Sequence, residues 1–210
     1  MQRPLAQRAP IQRGILTVAL VLAPLALLPA LSAAPQSQTP RELFPNTTDK
    51  GQAAVEYDDD RIQVVAAYYH SQREHDSRWL LIEIAVSAHD ATRISRDGIS
   101  LITPDGSAVP VASQAAVLQD IPRVRSLLLR AQTSRHGITG YFKTRRLRNF
   151  RFFALPFQGV AYNVFDVDRW QTAWGDLFFA SPTGAWDDGT YSLVIEGSEE
   201  ALGVLPIDLE

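Results

Sequence analysis

The chain has 210 residues, with 20 lysines and arginines against 23 aspartates and glutamates, a formal net charge of −3. Hydrophobic residues make up 46% and charged residues 20%, the profile of a folded rather than a disordered chain. It has no cysteine, which excludes disulfide scaffolds, thiolate catalysis, cysteine-ligated zinc, iron–sulfur clusters and a lipoprotein anchor.

Arg3, Arg8 and Arg13 precede an apolar run from Ile15 to Leu31, interrupted mainly by Thr17, Pro24 and Pro29 and closed by small residues through Ala34. A basic start, an apolar stretch and a small-x-small exit are the layout of a secretory signal peptide, so residues 1–32 are expected to be cleaved after Ser32. The competing reading is a retained anchor, but a span needs about 20 apolar residues, and this run is short and carries two prolines. No later stretch approaches spanning length. Without residues 1–32 the count becomes 17 basic against 23 acidic residues, or −6. An acidic extracytoplasmic domain, periplasmic or secreted, has no electrostatic reason to seek nucleic acid.

Residues 33–55 are polar and aperiodic and read as a flexible arm. Within them Asn46-Thr47-Thr48 fits the glycosylation pattern. Asp58-Asp59-Asp60 lacks the alternate spacing of a calcium loop and reads as a solvated lead-in. Residues 56–210 are expected to form one domain. Arg61–His70 is β-branched and aromatic, and Trp79–Ser87 alternates, with Leu80, Ile82, Ile84 and Val86 on one face and Glu83 and Ser87 on the other. Pro104-Asp105-Gly106 between Ile99–Thr103 and Ala108–Ala112 predicts a hairpin.

Ser113–Ala131 predicts a helix with a stripe of Val117, Ile121, Val124 and Leu128. Pro122 inside that run predicts a kink, with Asp120 capping a second, longer helix. Strands are then expected at Asn149–Leu155, Val160–Val167, Trp174–Ala180, Gly189–Gly197 and Leu202–Leu209. The expected class is all-β: a β-sandwich with one inserted kinked helix over about residues 113–131.

Asp187-Asp188-Gly189-Thr190-Tyr191-Ser192-Leu193 resembles the D-x-G-x-Y-x-C segment before the penultimate strand of immunoglobulin-like domains. The resemblance covers about 24 residues and implies an immunoglobulin-like sandwich. It also implies a structural corner made by Asp187, Gly189 and Tyr191, whose hydroxyl would bond back to the main chain. Leu193 stands where that family has its cysteine.

Charge is laid out unevenly. Ile121 to Phe165 holds nine basic residues and no acidic one, whereas Asp166 to Glu210 holds ten acids against Arg169 alone. One reading pairs these halves across the sandwich. The other is a basic patch, Arg135, Lys143, Arg145, Arg146, Arg148 and Arg151, that docks an envelope protein or an anionic surface component. Trp170 and Trp174 are candidate stacking residues for a carbohydrate-binding module, against core packing as the alternative. His70, Glu74, His75 and Asp76 cluster between two strands but read as a polar turn rather than a metal site. There is no G-x-S-x-G elbow and no H-E-x-x-H, and no carboxylate pair stands out for glycoside hydrolysis. The expected function is therefore a non-catalytic binding or assembly module without cofactor. A carbohydrate-binding module is the alternative, and a hydrolase comes third.

Overall fold

The computed structural model describes residues 44–210, apart from His136, Thr144 and Arg145. The expected signal segment and residues 33–43 of the expected arm lie outside the described residues. Two sheets pack face to face. The first contains β1 (Thr47–Asp49), β2 (Ala54–Asp58), β3 (Ile62–Ala67), β4 (Trp79–Ala88), β9 (Gln171–Ala180) and β7 (Arg146–Asn149), side by side in that order. Its neighbours are antiparallel, except that β7 runs parallel to β9. The second runs β11 (Leu202–Leu209), β10 (Gly189–Gly197), β5 (Thr92–Ile102), β6 (Ala108–Pro110), with β8 (Val164–Val167) beside the first half of β5.

The period-two pattern of the sequence becomes the shared core. Leu80, Ile82, Ile84 and Val86 of β4 meet Ile99 and Leu101 of β5, Leu193 and Ile195 of β10, and Leu205 and Ile207 of β11. The hairpin at Pro104-Asp105-Gly106 forms as its turn chemistry requires. Gly106 takes φ +87°, and the Thr103 and Ser107 main chains bond across the turn.

The outer face of the first sheet is covered too. Alternation alone would leave it wet, yet β4 is buried on both sides except at half-buried Glu83. Two helices, α2 (Gln114–Gln119) and α3 (Ile121–Ala131), lie over Trp79, Leu81 and Phe178. The 3-10 turn Ile138–Tyr141 and Phe142 lie over Val65, Ala67 and Ala85.

The helical segment breaks where Pro122 demands. The Ser113 hydroxyl accepts from the Ala116 N–H and starts α2, and Pro122 occupies the first turn of α3, where no N–H partner is needed. The expected stripe faces the sheet: Val117 and Val124 are buried together with Leu127 and Ala131, and Ile121 and Leu128 pack half-buried against them. The break at Asp120, with φ −136°, separates the two helices but leaves Val117, Ile121, Val124 and Leu128 all in or against the same cluster. Asp120 also does not cap α3 through its side chain. Its carboxylate instead accepts from Trp79 Nε1 at 2.8 Å.

Three other expectations change. Residues 47–55, read as arm, supply β1 and the start of β2, where Ala53, Ala54 and Val55 are buried and Lys50 pairs with Glu56 at 2.6 Å. His70 lies in a short helix, α1 (Tyr69–Glu74), rather than at a strand end. The strand expected over Asn149–Leu155 stops at Asn149. Beyond it Phe150 and Phe152 turn into the core against Phe165, while Phe153 packs edge-on against Phe178. Gly175 permits this path, because a Cβ there would stand 2.6 Å from the Phe150 carbonyl oxygen.

The corner at the entry to β10 forms as a local unit. Tyr191 Oη donates to the Asp187 carbonyl at 2.9 Å, Trp186 packs edge-on against the Tyr191 ring, and Gly189 takes φ +143°. Burial pushes the Tyr191 phenol pKa above its ordinary value. Tyr191→Phe should remove one hydrogen bond and cost about 1 kcal/mol, a fall in Tm of about 2–4 °C for a domain of this size. Differential scanning calorimetry checks this, and an unchanged Tm would show that the corner does not stabilise the fold.

Candidate functional site

Little of the basic stretch is neutralised, among the described residues, by the acidic one that follows it. Among the described residues, Arg135 is the member of 121–165 that pairs with an acid of 166–210: its guanidinium lies 2.7 Å from Asp176 Oδ2 and 3.3 Å from Glu83 Oε1. Arg123 pairs instead with Asp76 at 3.4 Å and Asp120 at 4.0 Å. Lys143, Arg146 and Arg148 are exposed and make no ion pair among the described residues. Arg151 is exposed and donates to Asn149 Oδ1 at 3.1 Å and to the Gln158 carbonyl. Arg145 lies outside the described residues. The patch expected from sequence therefore divides. Arg135 turns inward, and Arg146 and Arg148 stand on β7, a wholly exposed strand at the edge of the first sheet.

Arg135 stands at a cavity of about 810 Å³ on the outer face of that sheet. Glu83 of β4 and Trp174 and Asp176 of β9 lie on the sheet side, with Ile138 and Thr139 beside Arg135. Arg125, Leu128, Leu129 and Gln132 line it from the α3 side, at spacings that put them on one face of a helical run. Asn149, Arg151, Phe153, Leu155 and Gln158 line it from the segment after β7.

The register explains the charge at its base. Glu83 is the direct antiparallel partner of Asp176, and like charges opposite one another are unfavourable. Arg135 bridges them. Burial opposes its charge, but the hydrogen bond and charge of Asp176, with Glu83 behind, hold its pKa above the ordinary arginine value. Asp176 Oδ1 is buried without a hydrogen-bond partner among the described residues, as is His70 Nε2. Both residues border a neighbouring space of about 20 Å³, enough for roughly one water. Burial pushes the His70 imidazole below its ordinary pKa against the pull of Glu74, and Arg130 adds to the lowering.

The two tryptophans part company. Trp174, half-buried, packs against the Ile138–Phe142 cluster and lines the cavity. Trp170 is 50% exposed in the turn before β9, beneath Arg169 at 5.0 Å, and does not line the cavity. The histidine cluster is taken up by structure: His75 Nδ1 lies 3.0 Å from the Ser71 carbonyl, and Asp76 accepts from the Arg78 and Trp79 N–H groups. No group of three or more His, Asp or Glu is placed to hold a metal among the described residues. Asp59 of the acidic triplet accepts from the Tyr57 hydroxyl and from the Arg61 and Ile62 N–H groups.

Sequence reasoning missed Arg125, Asp176 and the part played by Glu83. Each acid carried a faint signal, one carboxylate in an otherwise apolar strand, but their pairing depends on register.

No protein-family model, curated protein or solved structure matches the chain. What the fold defines is a two-sheet, β-rich domain with a helical layer over one outer face.

Proposed function

We propose that the protein is an extracytoplasmic, non-catalytic binding module that engages an anionic component of the cell envelope through its exposed basic edge. The observation that carries this is β7: Arg146 and Arg148 lie exposed on an edge strand with no counter-charge among the described residues. Lys143 and Arg151, also exposed, extend the same charge before and after it in the chain. Arginine suits such a contact because its planar fork meets carboxylate and phosphate oxygens in pairs. The Tyr191 bond to Asp187 supports an immunoglobulin-like architecture.

The carboxylate pair argues for binding over hydrolysis. Glycosidic cleavage needs the scissile bond between two carboxyl groups. Here the Arg135 guanidinium occupies the gap between Glu83 and Asp176. The basic segment and the signal-like apolar start of the chain both support a contact at the envelope.

Purified protein is expected to retain a component of its host's envelope fraction at low salt and release it at high salt. Arg146→Glu with Arg148→Glu should weaken that retention at least about tenfold, the equivalent of about 1.4 kcal/mol. Retention that ignores both salt and the double charge reversal would overturn the reading.

A further inference from the structure

We infer that the cavity over the first sheet is a binding site for an acidic sugar unit, a pyranose ring carrying an oxyanion as a carboxylate or as a sulfate or phosphate ester. The inference rests on the chain being a binding module. It does not rest on the β7 edge, since Arg146 and Arg148 do not line the cavity.

Size and shape come first. At about 810 Å³ the space falls within the range of sites that take small ligands. It opens between a helix and an irregular segment, both backed by sheet, so its walls are supported from behind.

The chemistry of the lining then selects the occupant. An apolar ligand would desolvate Arg125, Arg151 and the Glu83–Arg135–Asp176 triad without returning any hydrogen bond. A cationic ligand meets three arginines against two carboxylates. A ring with hydroxyls and an oxyanion answers each part. Trp174 and Phe153, both in the lining, offer aromatic surface to the C–H face of the ring. Gln132, Thr139 and Gln158 supply amide and hydroxyl groups for ring hydroxyls, and Glu83 accepts from them.

The oxyanion has its own partners. Arg125 is exposed on α3 and makes no ion pair among the described residues. Arg151 lines the cavity from the segment after β7, with its fork already oriented by Asn149 and by the Gln158 carbonyl. Such preorganisation reduces the ordering cost of binding.

Isothermal titration calorimetry of the purified protein tests this with uronic-acid trisaccharides (galacturonate, glucuronate and mannuronate), their neutral methyl esters, a sulfated and a phosphorylated trisaccharide, and a glutamate-rich hexapeptide. Binding of a uronate or of an ester-bearing sugar is expected, and which of the two binds identifies the oxyanion. The neutral counterpart should bind at least tenfold more weakly. Arg125→Glu, an exposed helix position that leaves the core intact, should lower the affinity at least tenfold, and so should Trp174→Ala. Trp174→Phe should restore most of the loss from the alanine variant and separates a lost stacking surface from a lost fold. Arg146→Glu with Arg148→Glu should leave the sugar affinity unchanged, whatever it does to envelope retention. No binding by any acidic sugar, equal binding of the neutral esters, binding of the peptide alone, or indifference to Arg125→Glu would each overturn the inference while leaving the binding-module reading to its own salt test.

Discussion

Replacing Trp79 with alanine is expected to lower the stability of the domain by about 3–5 kcal/mol, the cost of emptying a large buried aromatic site. Trp79 is fully buried at the start of β4 and packs edge-on against Phe178 at 6.1 Å. Its cluster includes Val117 of α2 and Val124, Leu127 and Ala131 of α3, so it is where the helical layer meets the sheet. Its Nε1 donates to Asp120, the residue at which the two helices break. Asp120 also has Arg78 at 3.7 Å and Arg123 at 4.0 Å, so the tryptophan sits among fixed charges at that junction. Trp79→Phe separates the two contributions. It keeps most of the packing and removes the hydrogen bond to a carboxylate, worth about 1.5–3 kcal/mol, with the flanking arginines drawing the loss to the lower end.

Urea unfolding followed by circular dichroism measures both variants. Native-state hydrogen exchange should show protection lost in α3 before β10, because the helices depend on this contact and the second sheet does not. The wall that carries Arg125 and Leu128 would loosen with α3, linking this structural residue to the cavity. A Trp79→Ala protein within about 1 kcal/mol of the parent would show that the helical layer is held elsewhere.

Arg135→Met should cost about 2–3 kcal/mol, through repulsion rather than lost packing. Breaking a buried ion pair typically costs about 3–5 kcal/mol, and the figure is reduced here because 31% of the arginine side chain is exposed. The removed guanidinium leaves Glu83 and Asp176 facing each other across adjacent strands, with 12% and 17% of their side chains exposed. The signature is the rescue. Arg135→Met with Asp176→Asn should recover most of the loss, because the second change removes the charge that the arginine had balanced. Asp176→Asn alone should be milder than Arg135→Met, since Glu83 and Arg135 still form a pair. A double-mutant cycle by urea unfolding gives the coupling directly. Additive losses would mean that Arg135 stabilises by packing, and the charge-balanced base of the cavity would then be a wrong description.

Much of the fold follows from short stretches of sequence. The alternation in Trp79–Ser87 assigns Leu80, Ile82, Ile84 and Val86 to the core, and the Pro104-Asp105-Gly106 turn fixes the β5–β6 hairpin. The strands Gly189–Gly197 and Leu202–Leu209 form with the bounds their pattern predicts. These signals are local: a pleat repeats every two residues, and a turn is four residues long. The helical stripe is legible in the same way, since Val117, Ile121, Val124 and Leu128 all lie in or against one cluster. The same locality limits the reading of Trp170 and Trp174, which are four residues apart in sequence while of the two Trp174 alone lines the cavity.

The sequence by itself determined the β-rich character, the break in the helical segment, the cysteine-free core and the separation of basic from acidic runs. Each depends on residue chemistry or on spacing within a few positions. The tertiary structure alone decided that the first sheet is covered on both faces and that β7 is an exposed edge. It also decided that Arg135 is drawn out of the basic patch to neutralise Glu83 and Asp176. Those outcomes rest on strand register and layer packing, which bring together β4, β9, α3 and the 3-10 turn from distant parts of the chain. A one-residue shift in the β4–β9 register would put Glu83 and Asp176 on opposite faces, and no local pattern around either residue records which register is chosen.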